Sequence, residues 1–252
     1  MFNKKTATTI IIASLLTLTA SASFNKNLTY AENQFTDVPL SEWYAKEVAS
    51  TYELGLMNGK GAGIFEPEGN VTVAEAITMA ARAASIYSGE TVENTDGEWY
   101  HMYVNYAISK GFVKDGQFDD FNRPAKRHEV ASLFKNAMPD GYFTVKNNVE
   151  KIPDVSKTKA YHNDLLVLYK SGVVMGSDSY GNFKPEDNIT RAEAAAIINR
   201  VALPENRLSK TLDKISEDDA YLLNNTSTLA VSGGRKGTPS GWSFDNRGGQ
   251  PT

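Results

Sequence analysis

The chain has 252 residues, contains no cysteine and carries a formal charge of −4, with 26 basic and 30 acidic residues. The lack of cysteine excludes disulfides, thiolate metal sites and cysteine nucleophiles. The slight acidic excess argues against a nucleic-acid-binding protein, because such proteins usually present a basic face.

The N-terminus has the pattern of a targeting segment. Lys4 and Lys5 precede an apolar run, residues 7–20, that is too short to span a membrane. Small residues suit cleavage after either Ala22 or Ala31, and we favour Ala31, which gives a signal peptide of residues 1–31. We expect the mature protein to be exported and to have no membrane span. An exported chain without cysteine fits a bacterial cell envelope.

A pattern of aromatic residues and glycines occurs three times along the chain. Each copy places a glycine eleven residues after a tyrosine: Tyr44 and Gly55, Tyr100 and Gly111, Tyr161 and Gly172. A period of about 55 to 65 residues predicts tandem structural repeats. We place repeat 1 at residues 33–92, repeat 2 at residues 93–149 and repeat 3 at residues 150–203. Because units of this size bury little apolar surface, we expect the repeats to be stable only when packed together.

A first helix is predicted between the tyrosine and the glycine of each repeat, since apolar residues recur there at every fourth position. These apolar stripes are Tyr44, Val48 and Tyr52; Tyr100, Val104 and Ile108; and Tyr161, Leu165 and Tyr169. Gly55, Gly111 and Gly172 are positioned to end these helices in the left-handed conformation. We expect the three stripes to pack against one another.

A second helix is predicted to begin at Thr72 in repeat 1 and at Thr190 in repeat 3. In each case the pattern Thr-x-x-Glu indicates a capping box, which gives Glu75 and Glu193 a structural role rather than a catalytic one. Repeat 2 has Lys126 in place of the threonine, so we expect its cap to be lost or shifted.

Arginine occupies the first position of the second helix in repeats 2 and 3, as Arg127 and Arg191. A cation is mildly unfavourable there, because a helix N-terminus already carries partial positive charge. Two interpretations stay open at this point. The arginine is either solvated, or it binds an anion together with free amides of the first helical turn.

Taken in chain order, these elements resemble the S-layer homology domain. The elements are Phe-x-Asp-Val-Pro at residues 35–39, Trp-Tyr, the glycine, Phe-x-Pro, and Thr-Arg-Ala-Glu at residues 190–193. The resemblance covers three tandem copies over residues 33–203, of which the second is degenerate. It implies a mainly α fold, in which three helix-loop-helix repeats form a pseudo-threefold bundle with three lobes.

The resemblance also implies a function. Grooves between adjacent repeats of this family bind secondary cell-wall polysaccharide, typically with a pyruvate ketal on a terminal N-acetylmannosamine. The polymer is attached to peptidoglycan, so the expected role is non-covalent anchoring at the cell surface, in the wall or S-layer. Several weak grooves on one rigid body would gain avidity on such a polymer.

The resemblance assigns the pyruvyl carboxylate to Arg191 and Arg127. It assigns sugar contacts to acidic and aromatic residues of the opening motif, here Asp37, Trp43, Trp99, Asp154 and Tyr161. Repeat 1 has Val73 where arginine is expected and repeat 3 has Ala160 where tryptophan is expected, so no single repeat carries the full set. We expect one or two functional grooves, and the sequence leaves open which arginine pairs with which aspartate and tryptophan.

The predicted tail, residues 204–252, contains a possible helix through Leu208, Leu212 and Ile215. From residue 224 onward it is rich in glycine, serine, threonine and asparagine, which predicts disorder. Contacts with other surface proteins are a possible role for it.

Two other functions stay open. A self-assembling S-layer structural protein would share the anchoring module. A wall-acting glycoside hydrolase would need a pair of catalytic carboxylates. However, Glu75, Glu129 and Glu193 occupy equivalent capping positions, so we expect no enzymatic activity, and also no metal and no cofactor.

Overall fold

The computed structural model describes residues 34–209, so the predicted signal peptide and most of the predicted tail lie outside the described residues. The helices are α1 (Ala45–Glu53), α2 (Val73–Ser88), α3 (His101–Ser109), α4 (Arg127–Asn136), α5 (His162–Ser171), α6 (Arg191–Ala202) and a 3₁₀ turn, Pro204–Asn206. Within the described range the β-type pairings are isolated bridges. The prediction of a mainly α fold is confirmed. No helix in this range is long and apolar enough to cross a lipid bilayer.

The first helix of each repeat ends at its glycine. Gly55, Gly111 and Gly172 have φ angles of 71°, 78° and 77°, in the left-handed region. After α1, the amide of Leu56 donates to the carbonyl of Thr51 at 2.9 Å, and equivalent bonds close α3 and α5. This is the Schellman arrangement, which satisfies carbonyls that the helix end would otherwise leave unpaired.

The second helices begin at capping boxes. The Thr72 hydroxyl accepts from the Glu75 amide at 3.2 Å, and the Glu75 carboxylate accepts from the Thr72 amide at 3.0 Å. Helix α6 has the same two bonds. At the start of α4, Lys126 lacks an acceptor side chain, but its amide still donates to Glu129 at 2.8 Å. Repeat 2 therefore keeps half of the box in its original position.

Helices α2, α4 and α6 form the centre of the fold, where each contacts the other two. Their buried surfaces are rich in alanine, including Ala76, Ala80, Ala131, Ala194 and Ala195. Small side chains at the contacts allow the helix axes to approach closely.

The first helices pack differently from the prediction. Helix α1 packs on α6, α3 on α2 and α5 on α4, whereas α1, α3 and α5 do not contact one another within residues 34–209. The prediction that their apolar stripes meet is therefore wrong, because each stripe is buried against the preceding repeat in the cycle. The two helices of one repeat do not contact each other either. Each repeat is completed by its neighbours.

Backbone hydrogen bonds join the repeats in the same cyclic order. The first amide of each central helix donates to a loop carbonyl of the next repeat, with the pairs Val73 to Arg123 at 3.1 Å, Arg127 to Asp187 at 2.9 Å and Arg191 to Gly69 at 2.8 Å. Repeat 1 is thus bonded to repeat 2, repeat 2 to repeat 3, and repeat 3 back to repeat 1.

The first residues of the predicted tail pack on the repeats. The buried Arg207 guanidinium lies 5.0 Å and 5.2 Å from the ring centres of Tyr142 and Phe143. The Leu208 amide donates to the Gly172 carbonyl at 2.8 Å. Residues 204–208 are therefore packed against repeats 2 and 3.

Candidate functional site

Two cavities lie at interfaces between repeats. Groove 1 has a volume of about 210 Å³, and its charged and aromatic lining residues are Lys60, Glu75, Arg82, Trp99 and Arg191. Groove 2 has a volume of about 270 Å³, and the corresponding lining residues are Trp43, Arg127, Asp178, Phe183, Glu193 and Arg200. Each groove combines residues of all three repeats.

Arg191 is buried at groove 1, with 3% of its surface exposed. Its Nε donates to the Phe65 carbonyl at 2.8 Å, and one Nη donates to the Asn58 carbonyl at 2.7 Å. The other Nη contacts the Glu75 carboxylate at 3.2 Å, and the guanidinium lies 4.6 Å from the centre of the Phe65 ring. The interpretation of a solvated arginine is wrong for this residue. Since a guanidinium has five N–H donors, these three bonds leave two for a ligand.

Arg127 is held in the same manner at groove 2. Its Nε donates to the Phe183 carbonyl at 2.9 Å, and an Nη lies 2.7 Å from the Glu193 carboxylate. The guanidinium lies 5.2 Å from the centre of the Phe183 ring. Arg127 and Arg191 therefore join adjacent repeats and also place part of a guanidinium in each groove.

The first two amides of each of these helices are occupied. At α6, the amides of Arg191 and Ala192 donate to the carbonyls of Gly69 and Pro67, at 2.8 Å and 2.9 Å. Helix α4 makes the equivalent two bonds to repeat 3. The prediction that free amides help to bind an anion is wrong, because loop carbonyls of the neighbouring repeat take their place. Side chains must supply any anion recognition.

Glu75 is an internal competitor for an anionic ligand in groove 1. Burial raises the pKa of its carboxyl, but hydrogen bonds from Lys60 and the Thr72 amide, together with the charge of Arg191, outweigh burial and lower the pKa below its ordinary value of 4.5. Glu75 is therefore ionised at neutral pH. A ligand carboxylate must share Lys60 and Arg191 with it.

The two tryptophans of the predicted site are divided between the grooves. Trp99 is 54% exposed and lines groove 1, while Trp43 is 37% exposed and lines groove 2. The third interface lies around α4. Ala160 precedes α5, which packs on α4, and Val73 begins α2, whose first amides bond to the loop before α4. Both residues that depart from the family pattern thus belong to one interface, and the other two interfaces each have an arginine and a tryptophan.

Asp37 and Asp154 organise loops rather than line either groove. The two oxygens of Asp37 accept from the amides of Phe65 and Glu66 at 2.8 Å and 2.6 Å. Glu66 has a φ of 62°, an unfavourable left-handed angle that these charge-assisted bonds help to hold. Asp154 makes the equivalent bonds at 2.8 Å and 2.6 Å in repeat 3. Sugar contact stays a prediction for both residues.

Tyr161 also lies outside the linings of grooves 1 and 2. Its hydroxyl donates to Glu186 at 2.9 Å, and its ring stacks on His128 with the ring centres 4.2 Å apart. Burial, together with the neighbouring Glu186 carboxylate, raises the pKa of the Tyr161 hydroxyl to about 12. Its predicted role in sugar binding is likewise untested by this geometry.

Sequence reasoning missed three residues of groove 1, namely Lys60, Thr78 and Arg82. Arg82 lies seven residues after Glu75, and Arg200 lies seven residues after Glu193 in groove 2. Seven residues are about two helical turns, so each arginine lies on the same helix face as its glutamate. A position-by-position comparison of repeats 1 and 3 would have found this pair.

Comparison with known proteins supports the predicted family. Residues 34–77 and 151–195 match the model of the S-layer homology domain. Each of these two segments is therefore similar to an S-layer homology domain. The predicted family and the predicted cell-surface location are confirmed by this match and by the surface-layer relatives. The division into three repeats, with the degenerate repeat 2 at residues 93–149, stays a prediction.

The relatives of this chain include surface-layer proteins and a larger enzyme. The chain is 25% identical to an S-layer protein of Bacillus thuringiensis subsp. finitimus, with 85% of this chain and 29% of that protein aligned. It is 27% identical to the surface-layer 125 kDa protein of Lysinibacillus sphaericus, over 94% and 19% of the two chains. It is 28% identical to an amylopullulanase of Thermoanaerobacterium thermosulfurigenes, over 74% and 10%. The chain thus spans less than a third of each of these relatives.

Proposed function

We propose that the protein attaches non-covalently to the bacterial cell wall by binding an anionic secondary cell-wall polysaccharide in grooves 1 and 2. One observation carries this proposal. A buried arginine from one repeat, a second arginine from the next repeat and an exposed tryptophan from the remaining repeat meet in each groove. Neither an exposed tryptophan nor a cation with unused donors is explained by stability alone.

The ligand class follows from this combination of side chains. A pyruvate ketal on a terminal N-acetylmannosamine carries a permanent carboxylate, which suits the two unused donors of Arg191 and the ammonium of Lys60. The C–H faces of sugar rings can cover the apolar faces of Trp43 and Trp99. The polymer is attached to peptidoglycan, and two weak sites on one body gain avidity on it.

Co-sedimentation with purified wall sacculi tests the proposal. Intact sacculi are compared with sacculi from which hydrofluoric acid has removed the secondary polysaccharide. The test variants are Trp43→Ala and Trp99→Ala, because both side chains are exposed and the fold should tolerate their loss. Trp242→Ala is a matched control outside the described residues. Binding should disappear on stripped sacculi and fall in the two groove variants, whereas undiminished binding to stripped sacculi would refute the proposal.

A lattice-forming role is the second candidate, and the names of the surface-layer relatives favour it. Electron microscopy of the purified protein separates the two roles, since regular arrays indicate a lattice and dispersed particles indicate an anchor. Contacts of the tail with other surface proteins belong to the same question.

We propose no enzymatic activity for the chain. Glu75, Glu129 and Glu193 are engaged in helix caps and ion pairs, which leaves none of them as an evident catalytic acid. The alignment to the amylopullulanase covers 10% of that enzyme. Release of reducing sugar from purified sacculi would contradict this proposal.

A further inference from the structure

Grooves 1 and 2 are built from equivalent positions. The equivalent pairs are Arg191 and Arg127, Glu75 and Glu193, Arg82 and Arg200, and Trp99 and Trp43. The Lys60 amide donates to the Ile64 carbonyl at 2.7 Å, and the Ser177 amide donates to the Asn182 carbonyl at 2.6 Å. This shared loop bond makes Lys60 and Ser177 a further equivalent pair, so the two grooves can be compared side chain by side chain.

The charges of the two grooves differ. Groove 1 is lined by the cations Lys60, Arg82 and Arg191 and by one carboxylate, Glu75, for a net charge of +2. Groove 2 is lined by two arginines and by two carboxylates, Asp178 and Glu193, for a net charge of zero. In a cavity partly shielded from water, this difference of two charges strongly favours an anion in groove 1.

The second-turn arginines also have different partners. In groove 1, two nitrogens of Arg82 donate to the hydroxyl of Tyr103 at 3.3 Å and 3.2 Å, so its charge is not neutralised by that contact. Tyr103 lies four residues after Trp99, and Glu47 lies four residues after Trp43. Burial lowers the pKa of Arg200 and the negative charge of Glu47 opposes this effect. Arg200 therefore has a carboxylate in its vicinity, whereas the hydrogen bonds that Arg82 makes to described residues go to the uncharged Tyr103 hydroxyl and Leu56 carbonyl.

The two grooves also differ in an uncharged polar group. Thr78 lines groove 1, and its hydroxyl is buried and has no hydrogen-bond partner among the described residues. A buried hydroxyl without a partner is costly, and a ligand oxygen in the groove would remove that cost. The equivalent residue in groove 2 is Ala196, and Met175 and Leu208 add further apolar surface there.

We propose that groove 1 is the carboxylate-selective site, with Lys60, Arg82 and Thr78 as specificity-determining residues, and that groove 2 binds an uncharged part of the saccharide. This inference rests on the proposed function, because it assigns different parts of the wall polymer to the two grooves. The arginine at the helix N-terminus cannot by itself distinguish the two grooves, since both grooves have it.

Tryptophan fluorescence can report on each groove separately. The chain has three tryptophans. A protein with Trp43→Phe and Trp242→Phe retains only the Trp99 reporter of groove 1, and a protein with Trp99→Phe and Trp242→Phe retains only the Trp43 reporter of groove 2. Each is titrated with pyruvylated N-acetylmannosamine and with unmodified N-acetylmannosamine. The Trp99 protein should prefer the pyruvylated sugar at least tenfold, and the Trp43 protein should show less than a threefold preference.

An exchange of equivalent residues provides the matched control, measured by isothermal titration calorimetry on the full chain. Lys60→Ser and Arg82→Met should each weaken binding of the pyruvylated sugar about tenfold, and Ser177→Lys should not. Three results would overturn the inference. The two reporter proteins could show equal selectivity for the pyruvylated sugar, or only the Trp43 protein could prefer it. Lys60→Ser could also bind the pyruvylated sugar with the affinity of the wild type. If the inference alone fails, the wild-type protein still sediments with intact sacculi and not with stripped sacculi, whereas failure of the proposed function removes that difference.

Discussion

The interface at Arg191 and the interface at Val73 share a backbone but differ in side chains. In both, the first two amides of a central helix donate to loop carbonyls of the next repeat, at 2.8 and 2.9 Å for α6 and at 3.1 and 2.9 Å for α2. At the first, a buried arginine, two further cations and an exposed tryptophan surround a cavity. At the second, valine and alanine replace the arginine and the tryptophan.

This comparison separates the scaffold from the binding site. The backbone bonds that close the ring of repeats are needed at all three interfaces, so they persist where the binding side chains do not. Val73 replaces the expected arginine in repeat 1, and Ala160 replaces the expected tryptophan in repeat 3. Both replacements belong to the same interface, so the other two interfaces keep complete grooves.

The largest expected effect comes from making the first interface resemble the second. Arg191→Val leaves the Phe65 and Asn58 carbonyls without this donor and removes one of the cations that face the Glu75 carboxylate. We therefore expect a loss of about 3–5 kcal/mol in the free energy of unfolding. Urea unfolding measures it. The control Lys60→Ala removes a more exposed ion pair and should cost about 1 kcal/mol or less. A cost below about 1 kcal/mol for Arg191→Val would show that the arginine is not part of the scaffold.

The loop carbonyl that holds Arg191 depends on Asp37, and the next expected effect tests this link. Asp37→Ala removes two charge-assisted bonds to the amides of Phe65 and Glu66, at a cost of about 1.5–3 kcal/mol. The comparable aspartate of repeat 2, Asp96, is exposed, and Asp96→Ala should change stability by about 0.5 kcal/mol or less. Equal effects in thermal unfolding of the two variants would contradict this account of the aspartate.

Acid should weaken both interfaces. Burial raises the pKa values of Glu75 and Glu129, but their hydrogen bonds and cationic neighbours lower both below the ordinary value of 4.5. A lowered folded-state pKa means that the ionised carboxylate adds stability above pH 4.5, and that this stability is lost as pH falls through the folded-state pKa. Urea unfolding between pH 7 and pH 3 should therefore show a shallower decline in Glu75→Gln and in Glu129→Gln than in the wild type. An unchanged pH slope in either variant would contradict the assigned contacts.

The smallest expected effect is a gain in stability. Lys126→Thr supplies the hydroxyl that is missing from the cap of α4, and we expect about 0.5–1 kcal/mol of stabilisation. The reverse change in repeat 3, Thr190→Lys, should cost a similar amount. Thermal unfolding of both proteins measures the pair, and destabilisation by Lys126→Thr would show that repeat 2 has adapted to its lysine.

Local features of this fold could be predicted from the sequence, and its long-range contacts could not. The glycine turns and the capping boxes depend on residues at most five positions apart, so their patterns are visible in one repeat. The packing of α3 on α2, and the bond from Arg191 to Phe65, join residues in different repeats. The periodicity within one repeat does not show which repeats come into contact. For the same reason the sequence predicted free first-turn amides where loop carbonyls lie, and left the pairing of arginine with tryptophan open.

The central claim is that the protein recognises a carboxylate on the wall polymer, and isothermal titration calorimetry tests it most directly. Purified wall polysaccharide is titrated into the wild-type protein before and after mild acid treatment, which hydrolyses the acid-labile pyruvate ketal and leaves the protein untouched. We predict that affinity falls at least tenfold when the ketal is removed. Equal affinity for the two polymers would contradict the claim.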